Sequence, residues 1–235
     1  MRTSWAISAA AAVAVSMTAV LAGCTSTEAP AAESTASDPQ ATSSPALESG
    51  SDALAGVDSI VVSSAGLSLR DADSEVASID LVGTTLDDAL ETLTLVLGAP
   101  RSSDVEAGSC VSAQTAWAWG DNTVIGTADA LTDEGTLTFG TNQTSVETAD
   151  GRTVRIETPT GAAVGDPVAP IADGLDASVK DTFDTVPEEE RLSVVYDLAR
   201  NDQVDGEWNP YGASVYSEKG VIEAIRGPGH IKSTC

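Results

Sequence analysis

The sequence predicts an α+β fold in which antiparallel sheets carry two short helices. Short apolar or alternating runs recur along the chain, separated by Gly, Asp and Ser, and this pattern is typical of antiparallel strands joined by turns. One segment, beginning at Thr85, has the spacing and the end signals of an amphipathic helix. A second, shorter helix signal at Pro167 comes before the last group of predicted strands.

The strand predictions depend on alternation, since successive side chains on a strand point to opposite faces. In the strand predicted over 111–119, Thr115, Trp117 and Trp119 are expected on one face. Asp150-Gly151 predicts the tight turn of a hairpin. The predicted strands are residues 60–62, 67–69, 76–81, 111–119, 123–125, 136–139, 144–148, 152–156, 192–198, 214–217 and 221–226.

Residues 85–98 carry the clearest helix pattern in the chain. Thr85 is predicted to cap this helix, with Asp88 three residues later as the carboxylate of a capping box. Gly98 is predicted to end it in a left-handed conformation, and Pro100 prevents its continuation. The apolar stripe expected to face the core comprises Leu86, Ala89, Leu90, Leu93, Val96 and Leu97.

The second helix prediction suggests an internal repeat. Asp166 is predicted to cap a short helix that has Pro167 at its first position. Residues 56–150 and 151–235 then each contain a strand, a helix and antiparallel strands, offset by about 78 residues. A true duplication and a chance similarity of two halves both fit this pattern.

The N-terminus has the order of a bacterial secretory signal peptide. Met1-Arg2 is a short basic start, and residues 5–20 form an apolar run. The following Leu21-Ala22-Gly23-Cys24 resembles the lipobox of bacterial lipoproteins, which implies cleavage before Cys24 and a diacylglycerol on its sulfur. An ordinary signal peptide with a chance cysteine and an uncleaved anchor are the alternatives, although the run is short for a membrane-spanning helix.

Residues 24–55 are predicted to be a lipidated, disordered stalk. Ala, Ser, Thr, Pro and acidic residues dominate this segment, and no apolar period runs through it. The expected location is therefore the extracytoplasmic face of the cell membrane, with the lipid as the contact to the bilayer.

The charge of the chain excludes one class of partner. It has 36 acidic and 11 basic residues, a net charge of −25. Recognition of nucleic acid needs many Lys and Arg to neutralise phosphates, so no nucleic-acid partner is expected. Solubility explains the acidity, because the acids are spread along the chain, and binding of Ca²⁺ or of a cationic substrate is the alternative.

Two further cysteines, Cys110 and Cys235, are predicted to form a disulfide in an oxidising compartment. Two free thiols are the alternative. Two cysteines and the single histidine, His230, do not supply the four ligands of a zinc site, so neither a metal nor a cofactor is predicted. The segment 201–206 resembles the start of a calcium loop, but Gly212 stands where such a loop needs a bidentate Glu.

The sequence lacks the motifs of the common enzyme classes. His230 is predicted to be a surface or loop residue, and no Gly-x-Ser-x-Gly elbow, Walker lysine or His-x-x-x-His pair occurs. The chain is therefore predicted not to be an enzyme. The candidates for ligand or partner contact are Trp117, Trp119, Trp208 and Tyr211. The last two are predicted to lie in an aromatic loop with Asn209 and Pro210. For Trp117 and Trp119 the alternative is that they cover the helix of residues 86–97 in the core.

Two resemblances point to binding. The Ser/Thr/Pro-rich stalk, Leu97-Gly98-Ala99-Pro100, Trp117-x-Trp119, Val164-Gly165-Asp166-Pro167 and the terminal cysteine resemble uncharacterised secreted lipoproteins of actinobacteria. Residues 83–100 resemble, more distantly, the helix of β-lactamase inhibitory proteins and of the barrel-assembly lipoprotein BamE, in which a helix ending in Leu-Gly-x-Pro precedes an antiparallel sheet. That resemblance implies binding rather than catalysis.

These observations together predict a lipid-anchored, non-enzymatic module that binds a protein or a cell-wall ligand at the cell envelope. A cell-wall glycan hydrolase that uses a carboxylate pair is one alternative, since the chain offers many acids. A solute-binding lipoprotein is the other.

Overall fold

The structure is a computed structural model that describes residues 48–107, 113–127, 136–182, 191–204 and 207–231. The lipobox, Cys24 and most of the predicted stalk lie outside these residues, as do Cys110 and Cys235. Lipidation and the disulfide therefore stay predictions. Within the described residues, no helix is both long and apolar enough to cross a membrane.

Thirteen strands form two sheets in the described part of the chain. All neighbours pair antiparallel except β1 and β9, which are parallel with Ile60 opposite Ile156. The small sheet contains β1 (Ser59–Val62), β2 (Gly66–Asp71), β3 (Ser74–Asp80), β8 (Ser145–Glu147) and β9 (Thr153–Glu157) in the order β3-β2-β1-β9-β8. The large sheet contains β4 (Arg101–Val105), β5 (Gln114–Trp119), β6 (Thr123–Thr127), β7 (Leu137–Thr141), β10 (Lys180–Thr182), β11 (Arg191–Val204), β12 (Glu207–Glu218) and β13 (Val221–His230) in the order β10-β11-β12-β13-β7-β6-β5-β4.

The described helices are fewer than the strands. They are α1 (Glu48–Ala55), α2 (Leu86–Leu97), α3 (Ala169–Ala172) and a 3₁₀ turn over Ala177–Val179. The prediction of antiparallel sheets with short helices is thus correct in outline, although strands dominate more than it implied. Helix α1 was not predicted, because Gly50 and the polar residues around it give no helical stripe.

Helix α1 also corrects the predicted end of the stalk. Residues 24–55 were expected to be disordered, yet α1 occupies their last eight residues, and Leu54 is only 9% exposed and belongs to the hydrophobic core. The physical reason is that Leu54 and the neighbouring Val57 have apolar surface to bury, and a compact core is at hand to receive it.

Helix α2 confirms the prediction made from its sequence. The Asp88 amide donates to Thr85 Oγ1 at 3.2 Å, and the Thr85 hydroxyl donates to the Asp88 carboxylate at 2.7 Å, so the two residues cap the helix together. Gly98 ends the helix with φ +84°, a conformation that favours glycine. The stripe is buried at Ala89, Leu93, Val96 and Leu97 and packs half-buried at Leu86 and Leu90.

The second helix is shorter than predicted. Helix α3 spans four residues, begins after Val168 and has no side-chain cap. The Asp166 carboxylate, expected at the cap, instead accepts a hydrogen bond from the Ala163 amide at 2.9 Å. It therefore holds the turn before the helix rather than the helix itself, and the prediction of a cap at Asp166 is wrong.

One hydrophobic core joins α2 to both sheets. It contains Leu93 of α2, Leu69 and Ile156 of the small sheet, and Phe139 and Ile225 of the large sheet, all fully buried. The close contact of the two sheets is visible at Gly227 of the large sheet. A Cβ there would lie 2.9 Å from Val62 Cγ1 of the small sheet, so the backbone approach requires glycine.

Two similar units contribute four strands each to the large sheet, and the strand order of one unit mirrors that of the other. The first unit, β2–β3–α2–β4–β5–β6–β7, matches the second, β8–β9–α3–β10–β11–β12–β13, and β7 and β13 meet at the centre of the large sheet. Arg101 and Lys180, which begin β4 and β10, are 79 positions apart, close to the offset predicted from the sequence. Both sheets take strands from both units, so the predicted halves 56–150 and 151–235 are interleaved in the structure.

Candidate functional site

The candidate site is the face of the large sheet that points away from the core, which we call the outer face. The opposite, inner face carries Val194, Val215, Ile225, Phe139 and Ile125, all fully buried in the core. Because side chains alternate along a strand, their neighbours in sequence point outwards. The outer face comprises Ala116, Val124, Gly126, Thr138, Gly140, Ser193, Ser214, Tyr216, Ala224 and Arg226.

Most of these side chains are small, so the outer face is open to approach. Two cavities lie side by side on it and share Ala224 and Arg226 in their linings. The cavity over β5–β7, of about 420 Å³, is lined by neutral residues such as Ala116, Gly126 and Thr138 apart from the shared Arg226. Among the described residues, this cavity has no charged lining residue from the first unit, but it extends the outer face across that unit.

The cavity over β11–β13, of about 560 Å³, is the basic cavity. Its described lining is Arg191, Ser193, Ser214, Tyr216, Ala224, Arg226, His230 and Ile231. Two arginines and the only histidine of the chain thus meet in a protein of net charge −25. Among the lining residues that the structure describes, none is Asp or Glu.

Strand register brings the polar side chains of the basic cavity together. Ser214 on β12 is opposite Arg226 on β13, and Ser193 on β11 is opposite Tyr216 on β12. Residues opposite each other in an antiparallel pair have their Cβ atoms ~5 Å apart. The pairing shifts register after Gly212 and again after Tyr216, and irregularities of this kind turn side chains to new directions.

The two arginines have different surroundings. Arg191 is half-buried and lies 3.7 Å, Nε to Oε2, from Glu218 at the end of the hairpin. The Arg226 side chain is exposed and makes no ion pair or hydrogen bond with another described residue. An unpaired guanidinium is a ready partner for a carboxylate or a phosphate, because its fork of N–H groups matches their oxygens.

His230 lies at the end of β13, and its side chain is only 10% exposed. Its Nε2 is 3.5 Å from an Asp202 oxygen, and its Nδ1 is 3.2 Å from the Asn209 carbonyl oxygen. The Tyr211 ring meets the imidazole edge-on at 5.0 Å, and the Arg200 guanidinium stacks on that ring at 3.7 Å. The prediction of a surface or loop histidine is therefore wrong, because these neighbours enclose the ring within the sheet.

Trp117 and Trp119 lie on the inner side of the large sheet. Trp119 is 3% exposed, and its Nε1 donates to the Gly98 carbonyl oxygen at 2.7 Å, which ties β5 to the end of α2. Trp117 is half-buried and packs against the core. Both indoles thus occupy the position of the structural alternative, in which they cover α2.

Trp208 and Tyr211 were expected in an aromatic loop, but both lie in strand β12. Tyr211 is 1% exposed and belongs to the enclosed cluster around His230, whereas Trp208 is 52% exposed. The aromatic loop was a wrong expectation, because Asn209 and Pro210 suggested a turn where the chain continues as a strand opposite Asp202 and Asn201 of β11.

Groups with shifted pKa values lie outside the basic cavity. A hydrogen bond from the Thr148 hydroxyl, aided by Arg152, lowers the pKa of Asp150 from 3.8 to about 2 in the turn between β8 and β9. Burial, with the nearby Asp197 charge, raises the pKa of Tyr196, whose hydroxyl donates to the Val62 carbonyl oxygen at 2.8 Å. The Asp150 and Tyr196 side chains therefore stabilise the fold and do not line the basic cavity. In the described part of the chain, no group of three or more His, Cys, Asp or Glu side chains is placed to hold a metal ion.

Sequence reasoning missed Arg191, Ser193, Ser214, Tyr216 and Arg226 as a group. Their spacing contained part of the signal, since Ser214 and Tyr216, like Ala224 and Arg226, are two residues apart on predicted strands and so share a face. The sequence did not show which face stays uncovered or that β12 separates β11 from β13. Those facts depend on tertiary structure.

Comparison with known proteins finds no match to this chain. Neither a protein-family model, nor a curated protein, nor a solved structure is significantly similar to it.

Proposed function

We propose that this chain is a lipid-anchored, extracytoplasmic binding module that holds a partner protein of the cell envelope on its outer face. The observation that carries the proposal is a sheet face on which a basic cavity and a neutral cavity adjoin. Eight strands at ~4.8 Å spacing give a face ~34 Å wide, the scale of a protein interface rather than of a single small ligand.

Charge supports a specific partner surface. The chain as a whole is strongly acidic, whereas the outer face brings Arg226, Arg191 and His230 to one place. Complementary potentials select partners and suppress wrong ones by like-charge repulsion. An acidic patch on the partner therefore fits the outer face, while the rest of the surface repels the same patch.

Binding is favoured over catalysis by the chemistry of this face. A carboxylate pair is the requirement of the glycan-hydrolase alternative, and the described linings of both outer-face cavities contain no carboxylate. The two His230 ring nitrogens lie 3.5 Å from an Asp202 oxygen and 3.2 Å from the Asn209 carbonyl oxygen.

A solute-binding role is the second candidate, and one observation favours it. The basic cavity of about 560 Å³ falls within the ~300–1,000 Å³ typical of small-molecule sites. In that case the neutral cavity next to it would have no part in recognition.

Site-specific photo-cross-linking in cells that produce the full chain tests the proposal. A photoreactive phenylalanine analogue in place of Val124, on the outer face, is expected to give a discrete heavier product that protease removes. The same analogue in place of Ser78, an exposed position on the small sheet, is the matched control and should give none. A product that resists protease and is removed by a muramidase would identify a cell-wall ligand instead.

The specificity of the cross-link needs a second variant. Gly126→Arg fills the outer face, where a Cβ meets only the Gln114 side chain at 3.3 Å, and should abolish the Val124 product. Ser78→Arg should leave it unchanged. Absence of any product at Val124, or its persistence in Gly126→Arg, contradicts the proposed interface.

The anchor is tested separately at Cys24. Cys24→Ala should move the chain from the membrane fraction to the soluble fraction, because the acyl chains supply its affinity for the bilayer. Retention of this variant in membranes would refute lipid anchoring and leave the outer-face test untouched.

A further inference from the structure

We propose that the basic cavity is a binding site for an organic oxyanion, a carboxylate or a phosphate group, held by Arg226 and the hydroxyls of Ser193, Ser214 and Tyr216. This inference rests on the proposed binding function and names the chemical group that the outer face recognises.

The charge of Arg226 favours an anion at this site. Arg226 makes no ion pair with a described residue, unlike Arg152, Arg155 and Arg200, which have a carboxylate oxygen at 3.0 Å or closer. Among the described arginines, Arg226 is the one with neither an ion pair nor a hydrogen bond to another described residue. Arg70 donates to the Ser68 hydroxyl, Arg101 donates to the Gly120 carbonyl oxygen, and Arg191 lies near Glu218. Arg191 adds positive potential on the same side of the sheet.

Three hydroxyl groups in the cavity are available to donate hydrogen bonds. Ser193 is 8% exposed and lines the cavity, and its hydroxyl makes no hydrogen bond with the described residues. The hydroxyls of Ser214 and Tyr216, in the same lining, also make none with them. A hydroxyl that lines the cavity and has no partner among the described residues can donate a hydrogen bond to an oxyanion bound there.

The strand register places these donors close together. Arg226 and Ser214 are direct cross-strand neighbours, and Tyr216 is both two residues from Ser214 and opposite Ser193. The four donors thus occupy two adjacent rungs of three neighbouring strands. This spacing lets a single planar carboxylate or a phosphate contact the guanidinium and at least one hydroxyl together.

The size of the cavity indicates that the anion carries an organic part. About 560 Å³ is far more than one inorganic anion fills, and Ala224, Ile231 and the Tyr216 ring offer apolar surface beside the donors. An acidic side chain or chain terminus of a partner protein meets this description, and so does a free organic acid or phosphate ester.

Calorimetric titration of the purified full chain tests the site. The probes are glutarate, phenyl phosphate and, as the uncharged control, glutaramide. At least one anion should bind with a dissociation constant of about 10 mM or tighter, and glutaramide should not. Arg226→Gln should weaken binding about tenfold or more, because it removes a charge-assisted hydrogen-bond donor.

The matched control is Lys219→Asn, which removes the same charge from an exposed turn next to the cavity strands. Lys219 has φ +53°, a conformation that Asn tolerates, so this variant should fold and bind the anion unchanged. Ser193→Ala tests the hydroxyl independently and should weaken the binding of the anion about threefold or more. Circular dichroism confirms that each variant is folded.

Each outcome decides the inference. A preference for glutarate identifies a carboxylate ligand, and a preference for phenyl phosphate identifies a phosphate ligand. Failure of both anions to bind, or equal binding by Arg226→Gln and Lys219→Asn, overturns the anion site. Cross-linking from Val124 would remain in that case if the partner interface is real, so the two failures are distinguishable.

Discussion

The two units of the molecule contribute their strands to the large sheet in the same order but differ in the lengths of their helices and strands. In the first unit, α2 has twelve residues, a capping box and a stripe that fills the core, whereas α3 in the second unit has four residues and no side-chain cap. In the second unit, β11 and β12 have 14 and 12 residues, against six and five in β5 and β6. The first unit therefore supplies stability, and the second supplies length and polar chemistry.

This difference extends to the outer face. The cavity over the first unit is neutral except where Arg226 of the second unit borders it, while the cavity over the second unit contains both arginines and the histidine. Changes in the first unit are thus expected to alter the free energy of unfolding most, and changes in the second to alter binding most. Four measurements test this contrast.

The largest effect is expected from the helices. Leu93→Ala should lower the free energy of unfolding by about 3 kcal/mol, since Leu93 is fully buried between α2 and both sheets. Ile171→Ala, at 8% exposure on the four-residue α3, should cost about 2 kcal/mol or less because its surroundings can relax. Urea unfolding measures both. Equal losses would show that the two helices contribute alike.

A somewhat smaller effect is expected from the cluster around His230. Tyr211→Leu should lower the free energy of unfolding by about 2 kcal/mol, because it removes ring contacts to the Arg200 guanidinium and to the imidazole. Tyr211→Phe keeps the ring and should lose less. If the two variants unfold at the same urea concentration, the ring contacts do not stabilise the second unit.

The cap of α2 should have an effect of about 1 kcal/mol. Thr85→Ala removes the oxygen that accepts the Asp88 amide and lowers the free energy of unfolding, whereas Thr85→Ser retains the oxygen and should restore most of it. Thermal or urea unfolding distinguishes the two. An equally unstable Thr85→Ser would contradict the assigned role of the cap.

The smallest effect is expected from Asp150, and it should depend on pH. Its pKa is lowered to about 2 by the Thr148 hydroxyl and by Arg152, so the charged form stabilises the folded state. That stabilisation is complete above about pH 4 and is lost as the pH falls through about 2. Asp150→Asn should therefore be less stable than the parent at pH 7, and the difference should shrink as the pH falls from about 4 towards 2. A difference that does not change with pH would contradict this.

The sequence was sufficient for features that local chemistry determines. Thr85, Asp88 and Gly98 predicted the ends of α2, and Asp150-Gly151 predicted a tight turn that the structure confirms. Each of these features needs only neighbouring residues, because caps and turns are closed by hydrogen bonds over a few positions.

Features that depend on distant contacts could not be predicted in the same way. Leu54 is buried because a core is present to receive it, and the segment around Asn209 and Pro210 is a strand because β11 lies beside it. The pairing of β7 with β13, which places both cavities on one face, joins residues such as Gly140 and Arg226 that are far apart in sequence. The candidate site follows from this pairing, so it became visible only in three dimensions.

Cysteine accessibility tests most directly that the outer face is the surface in use. Single variants Thr138→Cys and Ser214→Cys place a thiol on the outer face of each unit, and Ser78→Cys places one on the small sheet. All three should react with an impermeant maleimide in the purified chain, but only Ser78→Cys should react at the same rate in intact cells. Equal reaction of all three in cells would contradict the account.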